Sequence, residues 1–364
     1  MSVLPRKDDP IAVIRHLKAP PWSLFSRHFS QWPRRLPLIL VVCVSTLAAT
    51  VVRAAPAQEP EKPPASAIAS AHPAATVAGV EILASGGNAF DAAVAVSAVL
   101  AVVEPYSSGV GGGGFWLLHV ADQGRDLMID GRERAPLAAT RDMYLDENGE
   151  FVPERSLNGP LAAGIPGEPA ALVHLAERYG RLPLGLSLTP AITLARDGFA
   201  VDALYRRLAT WRLAALQASP AAAAQFLIQG QVPEEGAVIR QPDLADTLAR
   251  LAEHGRDGFY AGPVAKALVQ GVRAAGGIWT LEDLAGYRVV ERQPIVGEYR
   301  GWRIVSAAPP SSGGVALVQM LNMLSRFDLG GMAGPDRIHV TVEAMRRAYR
   351  DRALYLGDPD HVDV

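Results

Sequence analysis

Small apolar residues recur at helical spacing from Pro73 through Val77, Val80, Ile82 and Leu83 and stop at Gly86-Gly87, which predicts a helix closed by a glycine C-cap. A second helix is expected over residues 89–103, so rich in Ala and Val that almost every face is apolar and must be buried. After a glycine run at residues 109–114, two short apolar runs, 115–120 and 126–129, flank the turn-like residues 121–125 and predict a β-hairpin. Helical spacing returns over residues 168–179, 190–197, 203–217, 243–254, 263–275, 315–327 and 335–356; strands are expected at 287–290, 295–299 and 302–307. Helices that bracket strand pairs argue for an α/β or α+β layered fold and against a repeat architecture. No linker interrupts residues 66–364.

The chain before this body follows a different pattern. Residues 36–52 are an uncharged, largely apolar run behind Arg34-Arg35 and ahead of Arg53-Ala54, the layout of a secretory signal cleaved after Ala54 or of a membrane anchor at the short limit for spanning a bilayer. Either reading exports the body to a periplasmic or extracellular location. The Pro- and charge-rich residues 55–65 read as a disordered tether. The expected organisation is therefore a signal or anchor at 1–54, a tether at 55–65 and a folded body at 66–364.

With 49% hydrophobic and 20% charged residues among 364, the chain is neither wholly disordered nor a polytopic membrane protein. The net charge is −2, and because the first 35 residues are basic the body is acidic, the wrong sign for neutralising nucleic-acid phosphates. A lone cysteine, Cys43, excludes intramolecular disulfides and thiolate zinc sites.

Several chemical motifs fail on their context. The run Gly109-Val-Gly-Gly-Gly-Gly114 matches a dinucleotide pattern, but a helix precedes it and a strand follows, the reverse of what places a pyrophosphate at a helix N-terminus; close backbone packing is the better reading. The segment Asp146-Glu-Asn-Gly149 reads as a hairpin turn, since Tyr144 and Arg155 occupy ligand positions of a calcium loop. No histidine pair has zinc-site spacing, and His361 beside Asp358 and Asp360 is expected in a solvated terminal loop, so no metal or cofactor is predicted. No serine sits in a nucleophile elbow, and no complete nucleophile-base pair can be assembled. Ser312 ahead of an apolar helix is expected as an N-cap. Glu343 with Arg347, and Arg347 with Asp351, read as i,i+4 pairs on a solvated face. Arg132, in Asp130-Gly-Arg-Glu-Arg-Ala-Pro136 directly after the hairpin, is open to two readings. It clamps a substrate carboxylate through its guanidinium fork, or Arg132 or Arg134 forms an internal ion pair with Asp130 or Glu133.

Taken in order, Ser70-Ala-His-Pro-Ala-Ala-Thr76, Gly86-Gly-Asn-Ala-Phe-Asp-Ala-Ala93, the 111–115 run, Asp130–Pro136, Pro309-Pro-Ser-Ser-Gly-Gly314 and Tyr355-Leu-Gly-Asp-Pro359 resemble the γ-glutamyltranspeptidases. The resemblance covers about residue 65 to the C-terminus and implies an N-terminal-nucleophile hydrolase with an αββα sandwich, cut from a precursor into a large and a small subunit. It implies that residues 66–364 are most of the large subunit, C-terminally incomplete. The implied activity is glutathione hydrolysis and γ-glutamyl transfer through a γ-glutamyl-enzyme ester, with no metal or organic cofactor. Arg132 matches the family's arginine for the donor α-carboxylate. The family's nucleophilic threonine, oxyanion donors and α-amino contacts belong to the small subunit, so the resemblance places a substrate-binding residue in this chain and no catalytic one. Acylases of the same scaffold acting on other acyl groups, and a non-catalytic remnant, are the alternatives. The implied partners are γ-glutamyl compounds such as glutathione and the small-subunit segment, with no nucleic acid and with membrane contact only through the N-terminal segment.

Overall fold

The two N-terminal helices form where their spacing places them, α1 at Pro73–Ala84 and α2 at Ala89–Val103, in a computed structural model that describes residues 65–364. His72 caps α1 through Nδ1, which accepts the Ala74 N–H at 3.1 Å. The chain leaves α1 through Gly86, whose φ of +91° favours glycine. Asn88 and Asp91 form a reciprocal capping box at the start of α2. Asp91, fully buried, also accepts the N–H groups of Arg181 and Leu182, so one carboxylate ties α2 to the chain that follows α4 (Glu168–Tyr179).

The predicted hairpin is β1 (Gly114–Val120) and β2 (Arg125–Gly131), joined by a 3-10 turn, with Gly114 opposite Gly131 and Val120 opposite Arg125. β5 (Val290–Arg292) joins the other edge of β2 antiparallel, Met128 facing Arg292 and Asp130 facing Val290. The strand expected at 287–290 therefore begins later. Tyr287 instead ends a short helix, α12 (Leu281–Gly286), that gives no periodic signal.

Between these lie α3 (Pro153–Leu157), α5 (Leu184–Asp197), α6 (Ala203–Trp211), α7 (Leu213–Ala218), α8 (Pro220–Phe226), α9 (Pro242–His254), α10 (Asp257–Tyr260) and α11 (Gly262–Ala274), with a two-residue pairing of β3 (Phe199–Ala200) and β4 (Val238–Ile239). The helix expected at 190–197 starts at Leu184, so Pro190 lies inside it. Burial of Leu188, Ala191 and Ala195 against α2 and α9 outweighs the one backbone bond Pro190 cannot make. The helix expected at 203–217 breaks at Arg212, whose guanidinium reaches Asn158 at 2.6 Å. The chain ends with the hairpin β6 (Ile295–Tyr299) and β7 (Trp302–Ser306), then α13 (Gly313–Leu324) and α14 (Gly334–Tyr355).

α2 lies at the centre, against α1, α4 and α5; α4 also covers β2, and α5 packs on α9. The continuous buried core runs from Ala75 to Tyr287 and takes no buried member from β6, β7, α13 or α14. Those last elements pack on one another, α13 on the hairpin and α14 on α13. The mixed helix and sheet agree with the expected α/β class. The expected signal or anchor at 1–54, with its 36–52 run, and nearly all of the tether lie outside the described residues. Among the described residues no helix is long and apolar enough to cross a membrane.

Candidate functional site

Arg132 leaves the end of β2 with its backbone held at both polar groups. Its N–H donates to Asp130 Oδ1 at 3.1 Å, and its carbonyl accepts the Tyr287 hydroxyl at 2.7 Å. Two residues on, Arg134 and Ile165 exchange both backbone bonds, at 3.1 and 2.7 Å. The adjoining backbone is packed so closely that a Cβ at Gly167 would lie 2.0 Å from the Gly131 carbonyl oxygen, and one at Gly113 would lie 2.3 Å from it. Close packing thus explains Gly113 of the glycine run, whereas a Cβ at Gly109 or Gly111 would meet nothing nearer than 4.0 Å.

Tyr287 is itself fixed. It stacks on Tyr260 with ring centroids 5.6 Å apart, and the Tyr260 hydroxyl donates to the Pro166 carbonyl at 2.8 Å while accepting the Ala170 N–H at 3.2 Å. Burial raises both phenols above their ordinary range, so each is a proton-bearing donor at neutral pH.

Asp130, Arg292, Arg134 and Asp360 satisfy one another without Arg132. Arg292 donates from Nε to Asp130 Oδ2 at 2.7 Å and from its two terminal nitrogens to Asp360 at 3.1 and 2.8 Å. Arg134 lies 3.7 Å from the same Asp360 carboxylate. Exposed Arg132 has no carboxylate within ion-pair range among the described residues; its guanidinium lies 5.8 Å from the Phe115 ring centroid. The internal ion pairs considered for Asp130 and Glu133 are therefore not formed, because Arg292 takes Asp130 and Arg134 turns to Asp360. Arg132 opens on a cavity of about 260 Å³ shared with Arg134, Arg292, Asp130, Asp358 and Asp360. A free fork at such a mouth can receive a carboxylate through two parallel charge-assisted bonds.

Glu133 separates this cavity from a larger one of about 490 Å³, lined by Tyr106, Phe115, Trp116, the glycine run and Glu168. Loss of water around Glu168, reinforced by the Glu133 charge, pushes its carboxyl up to about 8. At pH 7 it is mostly neutral and able to donate a hydrogen bond.

Other expected residues fall as follows. Asp146 heads a tight turn, accepting the N–H groups of Asn148 and Glu150 at 2.8 and 2.9 Å, as predicted. The loop holding Asp358, Asp360 and His361 is not simply solvated: Asp360 is drawn to the site by Arg292, which holds its carboxyl below the usual range. Among the described residues no cluster suited to a metal ion occurs. Ser312 stands at the N-terminus of α13 but makes no cap; its hydroxyl accepts from Arg352 Nε at 2.9 Å, because α14 brings that guanidinium over it. Glu343 pairs with Arg347 at 2.6 Å and also with Arg346. Asp351 takes Gln319 of α13 in place of the expected Arg347. The residues sequence reading missed are Tyr287, Arg292 and Asp360 as parts of the site. Each lies far along the chain from Arg132, and only the β2–β5 pairing brings Arg292 beside Asp130.

Comparison with known proteins supplies the context for this geometry. The family model described as gamma-glutamyltranspeptidase matches residues 75–364. The chain is 45% identical over 300 residues to the glutathione hydrolase proenzyme of Escherichia coli, covering 82% of this chain and 52% of that protein. It is 39% identical to the acylase ACY 1 proenzyme of Pseudomonas sp. strain V22, covering 84% of this chain and 56% of that protein. The crystal structure of Helicobacter pylori gamma-glutamyltranspeptidase superposes with a TM-score of 0.80 at 41% identity, covering 83% of this chain and 88% of that chain. This chain thus spans about half the length of these curated proenzymes.

Proposed function

The chain belongs to the gamma-glutamyltranspeptidase family, and on that premise we propose that residues 66–364 are the large-subunit region of an exported γ-glutamyltransferase and glutathione hydrolase. In this reading Arg132 receives the α-carboxylate of the γ-glutamyl donor. The small-subunit segment brings the nucleophilic threonine, whose own α-amino group serves as base once it is a new N-terminus, and the oxyanion donors that stabilise the tetrahedral intermediate. The hydroxyl oxygen bonds to the donor's γ-carbonyl carbon and the amine leaves; the resulting ester is then opened by water or by an acceptor amino group. The large-subunit region contributes binding and orientation of the donor, not a reacting atom, and no step needs a metal or an organic cofactor. Export rests on the signal-like residues 36–52.

The observation that carries this reading is the unpaired guanidinium of Arg132 beside Asp130, Arg292, Arg134 and Asp360, which are engaged with one another. In enzyme completed with the small-subunit segment, Arg132→Ala is expected to lower kcat/KM for γ-glutamyl-p-nitroanilide by about ten- to several-hundred-fold, the loss of roughly 1.5–3 kcal/mol of charge-assisted binding. Arg134→Ala, already occupied with Asp360, has a much smaller effect. Equal losses in the two variants would remove the assignment. Likeness to an acylase proenzyme supports a second reading, the same ester chemistry on another acyl group. A donor panel separates the two, since only a γ-glutamyl-specific site loses its preference with Arg132.

A further inference from the structure

Arg132 can take a ligand carboxylate only if no internal carboxylate claims it first. Two carboxylates flank it in sequence and line the same cavity, Glu133 and Asp130, and Asp130 is the buried one. Its two oxygens are divided: Oδ1 accepts the Arg132 backbone N–H at 3.1 Å, and Oδ2 takes Nε of Arg292 at 2.7 Å. The other edge of the Arg292 guanidinium holds Asp360 bidentately. All three groups are placed by the fold: β5 pairs with β2 so that Arg292 lies opposite Met128, and its side chain is only 14% exposed, with Asp130 at 8%.

We propose that Arg292 is a positioning residue for the site. By neutralising Asp130 it leaves the Arg132 guanidinium free for the substrate carboxylate, and by gripping Asp360 it fastens residues 358–360 as one wall of the same cavity. The geometry requires a guanidinium. One planar group satisfies two carboxylates on two of its edges, which the single ammonium of a lysine cannot do. The paired charges also hold the Arg292 guanidinium more firmly protonated and the Asp360 carboxyl more firmly ionised than usual. With Arg292 removed, Asp130 is left as a buried, uncompensated carboxylate with Arg132 the cation two residues away, and the clamp closes on its own chain.

This inference rests on Arg132 as the donor-carboxylate residue, and its test separates the two ideas. In the full chain assembled with the small-subunit segment, Arg292→Gln is expected to raise KM for γ-glutamyl-p-nitroanilide about tenfold or more, with kcat changed less than about threefold. The double variant Arg292→Gln with Asp130→Asn keeps the Oδ1 acceptor for the Arg132 N–H but removes the competing charge, and it should return KM to within about threefold of the parent. Recovery by deleting a charge, without restoring any contact, is not what local unfolding produces. Unchanged KM in Arg292→Gln, or no recovery in the double variant, overturns the proposal. Should Arg292→Gln fail to fold, Arg292→Lys is read in the same assay, with a severalfold rise in KM expected and no rise contradicting the proposal. Arg132→Ala measured alongside decides which idea fails: if it leaves KM unchanged both fall, and if it raises KM while Arg292→Gln does not, only the positioning role falls.

Discussion

Leu172, Leu175, Leu188 and Leu248 are wholly buried on α4, α5 and α9, whereas Ile338, Val342, Met345 and Tyr349 on α14 stay between 42% and 64% exposed. Both sets are spaced for one face of a helix. In the first region, residues 65–289, that face meets another element and the core closes. In the second, residues 295–356, β6, β7, α13 and α14 cover one another only in part, and Trp302, Phe327 and Tyr355 add to the open apolar surface. Exposed apolar side chains gathered on elements that the core leaves out suit a surface that another segment covers. The comparison teaches that Arg132 and Tyr287 stand on the self-sufficient region, that Arg292 and Asp360 reach the site from beyond it, and that the second region leaves open the face which the proposed function assigns to the small-subunit segment.

The sharpest way to break the comparison is to cut one apolar side chain from each region. Leu248→Ala should destabilise the chain by about 2–5 kcal/mol in urea unfolding, since the cavity it leaves cannot collapse. A cost below about 1 kcal/mol would show that the first region is loosely packed. Next in size is the pH response of Glu168. The folded chain keeps this proton up to about pH 8, whereas an unfolded chain loses it near 4.5, so unfolding releases a proton between those values and stability falls as pH rises across them. Glu168→Gln should abolish that slope, a difference on the order of 3 kcal/mol between pH 5 and 8. Parallel stability-pH curves for the two proteins would contradict the buried-carboxyl account.

Tyr287→Phe should cost about 0.5–1.5 kcal/mol through loss of the bond to the Arg132 carbonyl, checked by the same unfolding curve. Ile338→Ala is expected to shift the stability of the free chain by less than about 0.5 kcal/mol, because the side chain is already 64% exposed. A loss approaching that of Leu248→Ala would erase the distinction between the regions.

The legible parts of the fold are those whose burial follows a period. The all-apolar run at 89–103 and the helical spacing at 168–179 gave helices at those bounds, and the runs around residues 121–125 gave the hairpin. What was not legible depends on long-range partners. Leu184 to Thr189 join a helix despite Pro190 because α2 and α9 pack against it, and Tyr287 leaves its expected strand to reach Arg132 across the fold. Within the site, Arg132 stood out by its motif and its position after a strand. Its freedom did not, because that depends on Arg292 capturing Asp130 from 162 residues away. Ser312 shows the reverse error: a local rule for helix caps lost to a guanidinium carried in by a later helix.

The direct measurement of the two-region account is amide hydrogen exchange on the chain alone and with the small-subunit segment. Alone, α13 and α14 should exchange at least about a hundredfold faster than α2, α4 and α5, and the added segment should slow them at least about tenfold while the first region stays unchanged. Equal protection of α14 and α4 in the chain alone, with no response to the segment, would contradict the account.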